Sequence, residues 1–140
     1  MKIGTATCSP VCVYHACFPQ APADVEKHLH NITPAVFHDH LSYLKKHYRM
    51  VFVDELAEHH RAGDVAAITF DDGYKSVLSN AVPILIDLEI PFTIFINSSS
   101  LENRIFWRDK IRYLITHDLV ESCEQSMHRT SKLANTTFYR

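Results

Sequence analysis

The sequence predicts an α/β fold with a mostly parallel sheet, and three observations carry that prediction. Short β-forming runs alternate with longer stretches of helical periodicity. The third run, Val65-Ala66-Ala67-Ile68-Thr69-Phe70, is apolar almost throughout, as a strand covered on both faces is. The alternation itself calls for right-handed crossovers between parallel strands. The visible strands amount to about half of a closed eight-stranded barrel. The expected architecture is therefore a partial or distorted (β/α) barrel.

The elements follow in order. Val11-Cys12-Val13-Tyr14 reads as the first strand, with His15 at its end. Pro19 and Pro22 break the chain into loop. Thr33-Pro34 opens a helix, with Thr33 as cap and Pro34 in the first helical position. Phe37, Leu41, Leu44 and Tyr48 give that helix one apolar stripe, and Lys45, Lys46 and Arg49 suit the negative end of its dipole. Met50 to Val53 reads as a second strand, and Asp54 as the cap of a brief helix through Glu58. Gly63 and Asp64 turn the chain into the third strand. A helical region follows over Ser76 to Leu88, its shared side formed by Val77, Ala81, Leu85 and Leu88. Pro83 interrupts it, as a kink or as the start of a second helical piece. Phe92 to Ile96 is a fourth strand rich in β-formers. Trp107, Ile111, Leu114 and Ile115 mark an amphipathic helix over Phe106 to Thr116, with Trp107 read as core first and as a stacking wall for a ligand second. Leu119 to Cys123 extends it or starts another. Residues 125–140 lack periodicity and carry little apolar content, so a weakly ordered tail on a single domain of residues 1–124 is expected.

Composition narrows the function. The 140 residues suit one domain, with 46% hydrophobic and 21% charged residues. Net charge is -2 and the basic residues are scattered, which leaves no electrostatic footprint for nucleic acid or anionic lipid. No apolar run reaches the roughly 18 residues of a membrane span. Lys2 and Ala21-Pro22-Ala23 echo a secretory signal, but Thr5, Thr7, Ser9, Pro10 and His15 interrupt it. A cytoplasmic chain is the expectation, a secreted or cell-envelope one the alternative. Cys8, Cys12, Cys17 and Cys123 match no common zinc spacing and are expected to be reduced.

The chemistry concentrates in Thr69-Phe70-Asp71-Asp72-Gly73-Tyr74, where two carboxylates end an apolar strand. Neighbouring side chains on a strand face opposite sides. Asp71 and Asp72 should therefore diverge into unlike roles, one holding a cation and one facing an attacking water. Two close carboxylates repel, and a divalent cation would relieve that repulsion. Gly73 allows a tight turn or close approach to a ligand, and Tyr74 offers a hydroxyl at the rim. The competing structural reading is a plain Asp-Gly turn with Asp72 capping the next helix. A position at the carboxyl end of a parallel strand favours function.

The same residues resemble the first motif of the polysaccharide deacetylase family, the NodB-homology carbohydrate esterases. Ile90-Pro91-Phe92-Thr93-Ile94-Phe95-Ile96 resembles the family's next strand, and Tyr14-His15 a first-strand ending in one branch. Thr33-Pro34 through Asp54-Glu55-Leu56, and Phe106-Trp107 with Asp109, resemble further elements, so the likeness runs from about Val11 to Leu119. It implies that Asp71 is the general base, that Asp72 is the carboxylate ligand of a divalent metal, zinc first among them, and that His15 lines the same catalytic cavity. It implies hydrolytic removal of acetyl groups from N-acetylated sugars or polysaccharides. The family's second motif, His-Ser/Thr-x-x-His, does not occur in the 140 residues, and Glu89 stands where many members have glycine. A lone carboxylate is a poor zinc site. The expectation is therefore an N-terminal, truncated part of the family's domain with weak or no metal binding and impaired activity. The alternatives are a non-catalytic carbohydrate-binding or interaction fragment, self-associating through exposed sheet or core surface, and Mg²⁺-dependent phosphoryl transfer, for which no phosphate loop is present.

Overall fold

A computed structural model of the chain describes residues 9–59, 63–98 and 105–122. These fall into two compact units. Of the described residues, the first takes in 9–21, 30–59 and 63–98, and the second 22–29 and 105–122.

The first unit contains β1 (Val11–Tyr14), α1 (Pro34–His47), β2 (Arg49–Val51), α2 (Leu56–His59), β3 (Val65–Phe70), α3 (Val82–Asp87) and β4 (Phe92–Ile94). β3 is its axis, and all six of its residues are buried. Every pairing is parallel, as the apolar reading of β3 requires. Ala67 pairs with Val11 of β1 and with Val51 of β2, while Phe70 pairs with Tyr14 of β1 and Ile94 of β4. β1 therefore holds one edge of β3, and β2 and β4 share the other in succession. Among the described residues the sheet is open, so the α/β class and parallel sheet are as expected but no closed barrel forms.

One face of this sheet carries the core. Ile68 and Phe70 pack with Phe37, Leu41 and Leu44 of α1 and with Val77, Ala81 and Leu85. Burying each such side chain stabilises the fold by roughly 1.5–3 kcal/mol. α1 starts where the sequence places it. The Thr33 hydroxyl accepts from the Val36 N–H, Pro34 is the first helical residue, and Lys45, Lys46 and His47 occupy the last turn.

Several boundaries differ from expectation for local reasons. β2 ends at Val51 because the Phe52 N–H donates to Glu55 Oε1 at 3.3 Å instead of to a strand. Asp54 Oδ1 accepts from the adjacent Glu55 N–H, and α2 begins at Leu56. β4 stops at Ile94, although the Phe95 N–H still donates to Phe70 O at 2.7 Å. The Pro83 interruption is a π-helical turn, Val77–Ala81, in which the Val82 N–H reaches back to Val77 O. Proline has no N–H to return to the Ser79 carbonyl, and the wider turn accommodates that loss.

α3 ends in a Schellman motif. Ile90 N–H donates to Leu85 O and Glu89 N–H to Ile86 O, while Leu85 and Ile90 are both buried in the core. The Lys45 ammonium also donates to Leu88 O. Glu89 occupies the left-handed position of this motif at φ 52°, where a side chain costs about 1–2 kcal/mol relative to glycine. Glu89→Gly should therefore stabilise the chain by about 1 kcal/mol in urea unfolding. A destabilised variant would show that the glutamate side chain makes a contact worth more than the strain.

The second unit holds α4 (Trp107–Thr116). Here the expected apolar stripe is corrected. Trp107 is 57% exposed, not core, and Ile111 is exposed as well. The buried residue is Arg112, whose Nη1 lies 2.7 Å from Asp109 Oδ1 and whose Nε donates to His28 O. A guanidinium can be buried when its donors are satisfied in this way. His117 Nε2 and Asp24 Oδ1 lie 3.0 Å apart, within hydrogen-bonding distance. The helical piece expected over Leu119 to Cys123 is helical at 120–122, where the described residues end. Cys8, Cys123 and the expected tail at 125–140 lie outside the described residues; Cys12 and Cys17 are free thiols. Among the described residues no helix is long and apolar enough to cross a membrane.

Candidate active site

Phe70 is fully buried, and its burial fixes where β3 ends. One more rung follows, from the Asp71 N–H to Tyr14 O at 2.9 Å. The backbone then turns left-handed twice in a row, at Asp72 (φ 71°) and Gly73 (φ 74°). Aspartate is among the few L-residues that tolerate this region. Gly73 is required on two counts: its φ, and the close approach of Ile96, whose Cγ2 would stand 3.3 Å from an added Cβ.

The turn sends the two carboxylates into unlike surroundings, as strand alternation predicts. The Asp71 side chain is 43% exposed. Asp72 Oδ2 is buried and has no hydrogen-bond partner among the described residues. Such an oxygen is desolvated without compensation, a state that native proteins rarely tolerate without a functional reason. Simple turn chemistry leaves it unexplained, since that oxygen bonds no local amide. Tyr74, expected at the rim, packs against the core cluster.

His15 reaches the same place from the end of β1. Its side chain is only 16% exposed, and Nε2 lies 4.0 Å from Asp71 Oδ2, at the outer limit of an ion pair. The segment after it is held with unusual completeness. The Ala16 N–H donates to His30 O, and Ala16 O accepts from the Ile32 N–H. The Cys17 N–H donates to Ser76 Oγ at 3.1 Å, and Cys17 O accepts from Asn80 Nδ2 at 2.7 Å. The Phe18 N–H donates to Asn31 Oδ1, and Phe18 O accepts from Asn31 Nδ2. Every backbone donor and acceptor of Ala16–Phe18 is thus satisfied without regular secondary structure. The π-helical turn contributes by bringing Asn80 to the Cys17 carbonyl. Leaving one of these buried groups unpaired would cost about 1–3 kcal/mol.

The same segment walls a cavity of about 450 Å³ that is lined by Tyr14, His15, His30, Ile32, Val36 and His40, among others. His15 and His30 meet edge to face, their centroids 4.9 Å apart. Tyr14 Oη and His40 Nδ1 lie 3.3 Å apart. Burial pushes the Tyr14 phenol up to about 12, with the nearby Cys12 adding to the shift. The phenol is therefore protonated at neutral pH and donates to His40 when that nitrogen is bare. Burial likewise pushes the Cys17 thiol up to about 11, which keeps it unreactive. His30 and His40 are both exposed, yet they line this cavity with His15. The signal available for His40 was its place one turn after Val36 on α1, which puts both on one helix face.

The donor set does not fit a metal centre. Among the described residues no group of three histidines, cysteines or acids could hold a metal ion. Asp72 Oδ2 supplies one orphaned oxygen, whereas zinc takes three or four protein ligands.

The chain is similar in sequence and fold to known proteins. A family model described as polysaccharide deacetylase matches residues 58–132, from α2 through the acidic pair and β4 onward. Among solved structures, IcaB from Ammonifex degensii is similar over 66% of this chain and 39% of its own, at 29% identity and a TM-score of 0.54. The Streptococcus pyogenes deacetylase PplD, solved with acetate, is 22% identical over 69% of this chain and 45% of its own, with a TM-score of 0.59. A de-N-acetylase from Aggregatibacter actinomycetemcomitans is 23% identical over 84% of this chain and 51% of its own, with a TM-score of 0.55. The latter two likenesses concern the fold. The chain thus spans between 39% and 51% of these structures' lengths. No curated protein matches it. With its acidic pair inside a family match that takes in more than half of its residues, the chain belongs to the polysaccharide deacetylase family.

Proposed function

We propose that the chain carries the proton-handling part of a site that hydrolyses the acetamido group of N-acetylated glycans, and that alone it turns over weakly or not at all. The observation that carries this reading is the division of labour within the acidic pair. Asp71 is half-exposed beside His15, while Asp72 presents a buried oxygen that is unpartnered among the described residues. Asp71 accepts the proton of a water attacking the acetamido carbonyl, and His15 orients the carboxylate. Proton transfer to a positioned base contributes roughly 10²–10⁴-fold in rate. Polarising the carbonyl is a separate requirement, and one orphaned carboxylate oxygen does not meet it. The family is typically metal-dependent. Asp72 is the residue proposed to face a divalent cation such as zinc, but further donors have to come from outside the described set.

Two measurements test this. Acetate release from N-acetylated oligosaccharides, with Zn²⁺ or Co²⁺ added, should stay at background for the chain alone. Appreciable turnover, lost in Asp71→Asn, would contradict the claim of impairment. A chimera joining this chain to the part of PplD that it does not align with should release acetate, and Asp71→Asn should remove that activity. A folded chimera that releases none would overturn the hydrolytic reading. It would favour a non-catalytic glycan-binding role, to which the incomplete donor set also points.

A further inference from the structure

We infer that α4 is a self-docking surface, on which a second copy of this chain packs its own α4 antiparallel across a two-fold axis. The inference is independent of the hydrolytic reading and involves none of the residues placed in the candidate active site.

α4 turns its polar anchor inwards and an apolar stripe outwards. Arg112 is buried, held by Asp109 Oδ1 and His28 O. With 3.6 residues to a turn, Trp107, Ile111 and Leu114 fall together on the side of the helix away from Arg112. Trp107 and Ile111 are exposed and Leu114 is half-buried. Leu119 and Val120, just beyond the helix, are exposed as well. On one flank the stripe continues into a hollow of about 490 Å³ lined by Val25, Ile105, Asp109, Lys110, Tyr113 and Leu114. Contiguous apolar surface of this kind marks an interaction site, whereas single exposed apolar residues do not. The spacing i, i+4, i+7 is also the one along which two helices interlock.

Charge identifies the occupant. Arg108 and Lys110 stand in the first turn of α4, while Asp118 and Glu121 follow its last turn, and all four are exposed. Both placements oppose the helix's own dipole, which favours acids at the start and bases at the end. Asp109 is the acid in the first turn, and Arg112 engages it. The pattern is unfavourable within one helix and complementary between two antiparallel ones, where the basic start of each meets the acidic end of the other. When Ile111 of one copy faces Leu114 of the other, Trp107 comes opposite Asp118 and its apolar neighbours Leu119 and Val120. The Arg108 guanidinium lies 5.4 Å from the Trp107 ring, so its charge arrives beside Asp118 together with the indole. The contact is isologous: each copy gives and receives the same residues, and it closes at two. Exposed ion pairs add little affinity, so they set the antiparallel direction. Burial of the indole and the aliphatic side chains supplies the attraction. One helix per copy makes a small interface, and dissociation is expected at a constant on the order of tens of micromolar.

Sedimentation velocity of the chain at concentrations on either side of that value tests the inference. The expected result is a reversible monomer–dimer equilibrium with no larger species. Ile111→Glu sets like charges near the axis, and it should weaken association at least about tenfold, as should Trp107→Ala. Arg108→Glu and Asp118→Lys should each weaken it about threefold, and the double variant should restore it. All four positions are exposed, and circular dichroism checks that each variant folds. Asp118 has φ 54°; should Asp118→Lys fail to fold, Glu121→Lys takes its place in the charge exchange. A chain that stays monomeric at every concentration would overturn the inference. So would a dimer indifferent to Ile111→Glu and Trp107→Ala, which is held elsewhere, for instance by the open sheet. A dimer that those two variants break but that the charge exchange does not restore would overturn the antiparallel pairing. None of these outcomes depends on whether the chimera releases acetate, so the two readings fail separately.

Discussion

Phe70→Ala is expected to destabilise the chain by about 3–5 kcal/mol, the range for emptying a large aromatic site in a packed core. Phe70 is fully buried and meets three other aromatic rings: Tyr14 at 5.8 Å, Phe37 at 5.8 Å and Phe92 at 6.3 Å between centroids. Its position also locks three strands together, since it pairs with Tyr14 on one side and Ile94 on the other. The neighbours come from different elements, so no single side chain can swing in to refill the space. Native domains are stable by only about 5–15 kcal/mol, so the variant should be partly unfolded at 25 °C or melt far below the wild type. Urea unfolding followed by far-UV circular dichroism measures this directly. Phe70→Leu retains most of the volume and should cost less than half as much. A loss below about 1 kcal/mol for Phe70→Ala would mean that the aromatic cluster is not where this unit's stability resides.

Much of the frame was legible because local rules and tertiary environment agree there. β3 is continuously apolar and is buried at every residue. Thr33-Pro34 caps and starts α1, and Phe37, Leu41 and Leu44 form its buried side, as the periodicity predicts. The acidic pair was legible through Thr69-Phe70-Asp71-Asp72-Gly73-Tyr74, and the family match covers that stretch. What escaped depends on partners distant in sequence. Arg112 looks like a solvent-facing residue until Asp109 and the His28 carbonyl satisfy it. Trp107 looks like core because its bulk is apolar, yet it is exposed with the Arg108 guanidinium 5.4 Å from its ring. Asn31, Ser76 and Asn80 read as loop or helix polar residues. Their work is to satisfy Cys17 and Phe18, and no local pattern encodes a hydrogen bond across 59 or 63 residues. The left-handed backbone at Asp72 escaped as well, since Asp-Gly is compatible with several turn geometries.

That last residue supports the second large prediction, in which a loss of function raises stability. Asp72→Gly should stabilise the chain by about 1–3 kcal/mol. Two costs disappear together. Glycine adopts φ 71° freely, which relieves at most about 1 kcal/mol of left-handed strain, since aspartate tolerates this region better than most residues. The buried Oδ2 also goes, and with it a desolvation penalty of roughly 1–3 kcal/mol. Against this stands the added freedom of glycine in the unfolded chain, about 0.5–1 kcal/mol. Asp72→Ala separates the contributions, because it removes the carboxylate but keeps a Cβ in the strained region, and should gain less than the glycine variant. Thermal and urea unfolding of the three proteins would give the order glycine, alanine, wild type. In the chimera with PplD, both variants should lose acetate release. If Asp72→Gly is instead less stable than the wild type, the carboxylate has a structural partner and the case for a ligand-facing oxygen fails. Strain and an unpartnered buried oxygen held at one residue are costs that a turn alone would shed, and their coexistence at Asp72 supports the ligand-facing role proposed for it.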